Sequence, residues 1–385
     1  MKSIFFIIVI LLSVRSSFAQ EPADALRYSW YIQGGTARQQ AIGGAMGSLG
    51  GEISAMFVNP AGIAFYRTSD FVITPGYNLL NNKSSYFERT EKIKKNYFTF
   101  GTTGLVGGGG NTRSSGAFSL AVNRTANFGN HILYRGTNTQ SSYSQKFLEE
   151  IRNGNIKDAN AVAQNYPFGT SLAFNTYWID TIGGGTSGNY QFQTRAPIAS
   201  GLLQQNEMTT KGGITELAAA AAANLKNKLF LGATFGISFL DYKRDATFLE
   251  ADATTNSTNK FDFASFTESL STKGLGLGLR LGLIYKPTEY WRLGFAVHSP
   301  TFYSLTDKYR ASVTANTESY KGMLTQESEL FTGGEPSEFK YVLFTPYRVI
   351  GSVSYVLREI QDVTKQKGFL TADVEYVTIN FRLSM

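Results

Sequence analysis

His131 and His298 are the two imidazoles of this chain, and it has no cysteine. A zinc or haem centre built from nitrogen and sulfur donors would rest on these two residues. Both sit in strand-like sequence, without the H-E-x-x-H spacing that puts two imidazoles on one helix face. No thiolate nucleophile or disulfide framework is open to the chain. Asp373 and Glu375 fall two residues apart on one strand face, where paired carboxylates could share acid–base work; lining a wet interior is the plainer reading. The chain contains no G-x-S-x-G elbow and no G-x-x-x-x-G-K-[ST] loop. The run Gly107–Gly110 lacks the lysine of a phosphate cradle and reads as a turn. No catalytic residue, metal site or cofactor is therefore assigned, and the protein is not read as an enzyme.

Residues suited to binding are easier to find. Phe168, Leu172, Phe174, Tyr177 and Trp178 crowd together ahead of a Gly183–Gly185 break, either as a hydrophobic ligand groove or as the core of a folded loop. In Asn59-Pro60-Ala61-Gly62 the proline keeps Asn59 out of helical geometry and starts a turn, while Gly62 allows close backbone approach. A basic cluster, Lys83, Arg89, Lys92, Lys94 and Lys95, reads as a solvated loop or as a contact for anionic sugar-phosphate lipid. Net charge is +7 and the isoelectric point about 9.2, yet no basic helix is visible, so nucleic acid is not an expected partner.

The elements that would position these residues are strands. From Gly274 to Tyr285 the sequence reads GLGLGLRLGLIY. Leucines 275, 277, 279, 281 and 283 share one side of a two-residue period; Gly274, Gly276, Gly278, Arg280 and Gly282 share the other. That pattern suits a barrel wall with lipid outside. A lipid-facing arginine at the midplane would cost about 2–4 kcal/mol, so Arg280 is expected to face the lumen. Leu229–Phe239 and Tyr347–Tyr355 repeat the theme, as does Trp291–Val297, which places His298 on the lumen side. Propensity favours helix for the alanine-rich Glu216–Leu225, but a hairpin at 224–228 feeds the next strand and makes it a strand. A first strand covers Phe71–Leu79 and a second Asn96–Val106. The third opens at Ala117–Asn123 and resumes at Ile132–Tyr134 after an interruption at Asn127–Asn130.

Nine strands are clear before a phase break at Tyr376–Val377, where a one-residue slip exchanges the faces, either through a bulge or because two strands abut with material between them missing. Turns near 107–114, 224–228, 287–290 and 358–367 are short. Those near 81–95, 137–213, 250–270 and 314–338 are long, and Ser144 can cap a helix in the longest. Short turns on one side and long loops on the other are how outer-membrane barrels are built. Lys2, the apolar run Ile4–Leu12 and Ser17-Phe18-Ala19 predict a secretory leader over 1–19, leaving Gln20 as the new terminus. Losing Lys2 and Arg15 with it lowers the net charge by two, to +5. Residues 20–66 predict a compact hatch of short helices and tight turns. Residues 67–385 predict an all-β transmembrane antiparallel barrel with a long extracellular loop at 137–213.

The motifs Gly34-Gly35-Thr36-Ala37-Arg38, Ile42-Gly43-Gly44-Ala45-Met46-Gly47 and Ser54-Ala55-Met56-Phe57-Val58-Asn59-Pro60-Ala61-Gly62, followed by strands, resemble the FadL family of outer-membrane transporters, in its Bacteroidetes form. Beyond the motifs the likeness is one of strand type, and it extends over nearly the whole chain. It implies that residues 20–66 plug a fourteen-stranded barrel, with Asn59, Pro60, Ala61 and Gly62 serving in the hatch and its gating. It also implies that Phe168, Leu172, Phe174, Tyr177 and Trp178 form an external capture site, and that the interruption at 127–129 opens a sideways exit. The strand count falls short of fourteen and the chain ends at Met385 instead of an aromatic residue, which would leave the barrel incomplete at its C-terminus. The expected function is passive transport of hydrophobic compounds, foremost long-chain fatty acids, by a monomer in the bacterial outer membrane, in contact with its lipid and lipopolysaccharide. Haem uptake is one alternative; a non-transporting barrel component of a secretion or surface-attachment system is the other.

Overall fold

A computed structural model describes residues 22–29, 31, 34–182, 189–254, 256–358, 366–378 and 382–384. The expected leader, Gln20, the 183–185 break and Met385 lie outside the described residues. The alternating stretches form strands: β1 (Asp70–Val72), β2 (Pro75–Tyr86), β3 (Arg89–Phe100), β4 (Thr103–Gly110), β5 (Ser114–Asn127) and β6 (Asn130–Asn138). A small hairpin, β7 (Ile179–Ile182) and β8 (Gln191–Thr194), sits in the long loop. Three long strands follow, β9 (Leu202–Leu225), β10 (Leu229–Asp252) and β11 (Phe263–Tyr285). The remainder are β12 (Trp291–His298), β13 (Phe302–Asn316), β14 (Met323–Glu327), β15 (Ser337–Phe344), β16 (Arg348–Arg358), β17 (Gln366–Val377) and β18 (Arg382–Ser384). No described helix is long and apolar enough to cross a membrane.

Fourteen strands make one antiparallel sheet, ordered β1-β4-β5-β9-β10-β11-β12-β16-β17, with β6 continuing beside β9, and β13, β14, β15 and β18 continuing above β12, β16 and β17. The described residues cross this wall nine times. Strands β9, β10 and β11 make unbroken passes; β1/β2, β3/β4, β5/β6, β12/β13, β15/β16 and β17/β18 are passes interrupted near mid-height. These passes correspond one for one to the nine strands expected from sequence. The short turns at 111–113, 226–228 and 286–290 share one end of the wall, and 139–201, 253–262 and 317–336 share the other. Among the described residues β1 and β17, the ends of the strand order, are not paired with each other.

Several boundaries differ from expectation. The supposed basic loop at 81–95 is the body of the β2–β3 hairpin, which turns sharply at Phe87 and Glu88. Gly107–Gly110 belongs to β4 and the turn falls at 111–113; a Cβ on Gly108 would lie 2.6 Å from the Tyr66 carbonyl carbon, so Gly108 admits the neighbouring hatch. Strand β9 begins at Leu202, eleven residues before the expected loop end at Gly213. Ser144 stands at a helix N-cap, but its hydroxyl donates to Thr194 Oγ1 (2.6 Å) and makes no cap. At the phase break β17 ends at Val377 and β18 pairs with β15, so the strand passes from one partner to the next; residues 379–381, which join them, lie outside the described residues.

Each long strand has two unlike faces. On β12, Trp291, Leu293, Phe295 and Val297 are exposed while Arg292, Gly294, Ala296 and His298 are buried. On β11, Leu275, Leu277, Leu279 and Leu281 are exposed, and Phe235 and Phe239 on β10 join them. This apolar face ends at one level. Phe239 pairs with Leu275, and the next outward pair, Asp241 and Lys273, is charged. Above that row the alternation inverts, with Leu305, Ala311, Val313 and Ala315 of β13 buried.

Under the inner face lies the hatch, with helices Pro22–Ser29 and Ala37–Ala41 and two 3-10 helices, Ile53–Phe57 and Pro60–Phe65. Ile53, Met56, Phe57 and Ile63 pack on Val106, Ala121 and Ala218. Met46, Leu49 and Val58 pack on Ala296 and Ile350, and Ala61 and Ala64 on Phe230 and Ile284. One plug thus supports the wall from β4 to β16.

Candidate functional site

Asn59 is fully buried and ties the hatch together. Its Oδ1 accepts from Ala61 N–H (3.1 Å), capping the second 3-10 helix; Pro60 at the first position has no N–H to leave unpaired. Its Nδ2 donates to Gly47 O within the hatch (2.6 Å) and to Leu283 O in the wall (3.1 Å). Gly62 sits where the two 3-10 helices meet: a Cβ there would come within 2.8 Å of the Ala55 Cβ. The wall glycines answer this motif. A Cβ on Gly282 would lie 2.0 Å from Asn59 Oδ1, and one on Gly232 2.4 Å from the Pro60 carbonyl carbon.

Further bonds fasten the hatch. Thr234 Oγ1 donates to Met56 O (2.9 Å), Ser115 Oγ to Ala64 O (3.0 Å), and Gly47 N–H to Asp373 Oδ2 (2.9 Å). His298, expected on the inner side, is there and buried, with Nε2 2.7 Å from Val58 O; a carbonyl can only accept, so Nε2 carries the proton. Arg280, also on the inner side, lies directly opposite His298 in the ladder and makes a two-pronged bond to Glu216, one arm 2.8 Å long. Sequence reading missed Glu216, whose only signal was an acid interrupting an otherwise alanine-rich inner face. Asp373 and Glu375 are each engaged, with Gly47 and Arg348 respectively, and do not form an acid–base pair.

Between the hatch helix Pro22–Ser29 and the inner face of the sheet is a cavity of about 370 Å³. Leu26, Ile214 and Val377 give it apolar walls; Tyr31, Arg348 and Glu375 give it a polar end, where the Arg348 guanidinium lies 4.1 Å from the Tyr31 ring centre. Tyr28 also borders it, donating to Thr272 Oγ1 (2.8 Å). Burial raises the Tyr28 phenol well above its ordinary value, so it stays a neutral donor.

The expected capture residues divide. Leu172 and Trp178 are completely buried with Phe147, Ile151 and Val162 and are the core of the 139–201 loop, which corrects their assignment to a binding surface. Trp178 Nε1 donates to the buried Glu250 (2.8 Å), which also accepts from Tyr143 N–H (3.0 Å) and fastens the loop to β10. Phe168, Phe174 and Tyr177 are less buried, each edge-on to another ring: Tyr309, Phe192 and Tyr320. None of the five borders the cavity. Among the described residues no group of three or more His, Asp or Glu is placed to hold a metal ion. His131 Nε2 faces Glu207 (2.9 Å), so both imidazoles already have partners.

The chain matches no protein-family model, and no curated protein or solved structure was found to match it.

Proposed function

We propose that the sheet is wall of an outer-membrane barrel around the hatch, and that the protein conducts hydrophobic molecules, foremost long-chain fatty acids, across that membrane. The observation that carries the reading is the outward apolar face. From Leu275 to Tyr285 it spans ten residue steps, about 33 Å of strand, or about 25 Å of height at a tilt of about 40°, which matches the apolar band of such barrels. Soluble surfaces rarely keep an apolar patch beyond a few hundred Å². Trp291 and Tyr355, 4.9 Å apart beside the exposed Tyr290, stand at the short-turn end, where an interfacial girdle belongs. The hatch touching strands from β4 to β16 supports a wall that curls around it.

The cavity suits an amphiphile, its polar head toward the Arg348–Glu375 pair and its tail among Leu26, Ile214 and Val377. Because the hatch is bonded on several sides, the straight path down the lumen is closed at Asn59–Gly62; the sideways way out that the resemblance implies at 127–129 would have to open where Phe128 N–H now donates to Gly212 O (3.0 Å). The test is uptake of labelled long-chain fatty acid by cells carrying the chain in their outer membrane. Uptake above the empty-vector level, reduced by Arg348→Ala, supports the reading. No uptake despite correct insertion favours the assembly-component alternative.

A further inference from the structure

The β2–β3 hairpin is a separate two-stranded sheet that continues the wall beyond its apolar band. Its two faces do different things. One side is occupied: Asn82 Nδ2 donates to Asn130 Oδ1 (2.6 Å), Tyr86 OH donates to Gln204 (2.8 Å), Glu91 binds Arg135 (2.6 Å), and Lys95 Nζ donates to Asn130 O and Thr210 O (3.0 and 2.8 Å). Lys95 is thus a pin holding the hairpin to β6 and β9. The other side is open and continues the exposed face of β1 at a two-residue period: Phe71, Ile73, Pro75, Tyr77 and Leu79, then Asn81, Lys83 and Ser85, all exposed. On β3 the same side carries Phe98, then Asn96, Lys94, Lys92 and Thr90.

The change from apolar to basic occurs at one level on both strands. Tyr77 pairs with Phe98, Asn81 with Lys94, and Lys83 with Lys92. Two lysines stand directly opposite each other and a third lies two residues along. Like charges so placed repel and weaken a ladder. No ion pair among the described residues involves any of the three. The hairpin's acids do not offset them: Glu88 lies at the turn and Glu91 faces the other side. From Phe71 to Leu79 the apolar part covers eight residue steps, about 27 Å of strand or about 20 Å of height at a tilt of about 40°, and Lys83 lies four residues farther on, so with the apolar part in hydrocarbon the ammonium groups sit at headgroup height. The hairpin points to the same end as the long loops.

We infer that Lys83, Lys92 and Lys94 form a binding site for the phosphorylated sugar headgroup of an outer-leaflet glycolipid, with Asn81, Asn96, Ser85 and Thr90 available to the sugar hydroxyls. This rests on the membrane reading given above. Three ammonium groups that lack a protein carboxylate are offset by lipid phosphates, and the acyl chains of the same molecule lie on Tyr77, Leu79 and Phe98 below. Opposite-charge attraction at a lipid surface is worth about a factor of five per lysine, about 100-fold for the three.

The test is native mass spectrometry of the detergent-solubilised full chain titrated with bisphosphorylated lipid A, its dephosphorylated form, or phosphatidylglycerol. The site predicts retention of bisphosphorylated lipid A, about 100-fold weaker in K83Q/K92Q/K94Q and preserved in K83R/K92R/K94R. Equal retention by the glutamine variant, or equal retention of the dephosphorylated lipid or of phosphatidylglycerol, overturns it. Requirement for detergent is measured separately on each variant. A chain that stays monodisperse without detergent would defeat the membrane reading itself, whereas a detergent-requiring chain that ignores lipid A defeats only the lysine site.

Discussion

Asn59 holds a helix cap, a hatch carbonyl and a wall carbonyl with one side chain. Asn59→Ala leaves those buried groups unpaired, at about 1–3 kcal/mol each; a lowered unfolding temperature in detergent and faster proteolysis near Gly47 are expected. Gly282→Val attacks the same joint from the wall, since its Cβ would fall 2.0 Å from Asn59 Oδ1. It should destabilise by about 1–3 kcal/mol, while Gly351→Val, with nothing within 4 Å, should stay within about 0.5 kcal/mol in the same denaturant titration. The Arg280–Glu216 pair allows a sharper test. Arg280→Met alone strands a buried carboxylate and should cost about 3–5 kcal/mol, whereas R280M/E216L removes both charges and should recover most of that loss. Equal stability of single and double variants would mean that water reaches the pair. At this scale the sequence was legible where a residue type is rarely used without reason. The inward aim of Arg280 followed from the cost of a lipid-facing charge, and Asn-Pro marked the hatch joint. What stayed hidden was partnership, because Glu216 lies 64 positions from Arg280 and no local pattern links residues that meet across the intervening strand β10.

Among the elements, β11 shows how far alternation can be read. Its leucine face was visible as soon as the glycines were seen to share one parity, and the structure adds why two kinds of neighbour need them: a Cβ would collide with the Asn59 and Pro60 side chains of the hatch at Gly282, and with Tyr303, Ser304 and Leu305 of β13 at Gly274 and Gly276. The upper strands were not visible for the converse reason. In β13 the apolar residues Leu305, Val313 and Ala315 point inward and polar ones outward, so a search for apolar-outside strands passes over it and finds a polar loop. The upper part of the β2–β3 hairpin was hidden because both of its faces are polar, Asn82, Ser84, Glu91 and Lys95 on one and Asn81, Lys83, Lys92 and Lys94 on the other. This predicts a depth-dependent response along a single strand. Leu279→Lys, in the middle of the exposed apolar face, should cost about 2–4 kcal/mol, and Ser271→Lys, above its edge, about 0–1 kcal/mol. Folding into phospholipid vesicles, followed by tryptophan fluorescence across a denaturant series, measures both. Equal costs at the two positions would remove the apolar face from the membrane.

For the molecule as a whole, the direction of the passes sets a condition on closure. With nine alternating crossings the first and last passes, β1/β2 and β17/β18, run the same way, so they cannot pair antiparallel with each other. An antiparallel ring needs an odd number of further strands between them, from this polypeptide or another. The fourteen strands implied by the resemblance would require five, which is odd and therefore compatible. Exposure agrees with open edges: Leu370 and Val374 of β17 are 68% and 75% exposed, and Ile73 beside β1 is 63%, against 45% for Leu279 in the middle of the wall. Such edges present unpaired N–H and C=O groups, which in hydrocarbon cost several kcal/mol apiece. Hydrogen exchange on the 385-residue chain in detergent reads this directly. Amides of β10, bonded on both sides by β9 and β11, should be protected throughout, while alternate amides of β17, those turned away from β16, should exchange fast. In native outer membranes the same β17 amides should become slow if further strands complete the ring there. Uniform protection of β17 and β10 in the isolated chain would instead require the two edges to meet, which contradicts the odd count and with it the up-and-down wall from which the transport reading is built.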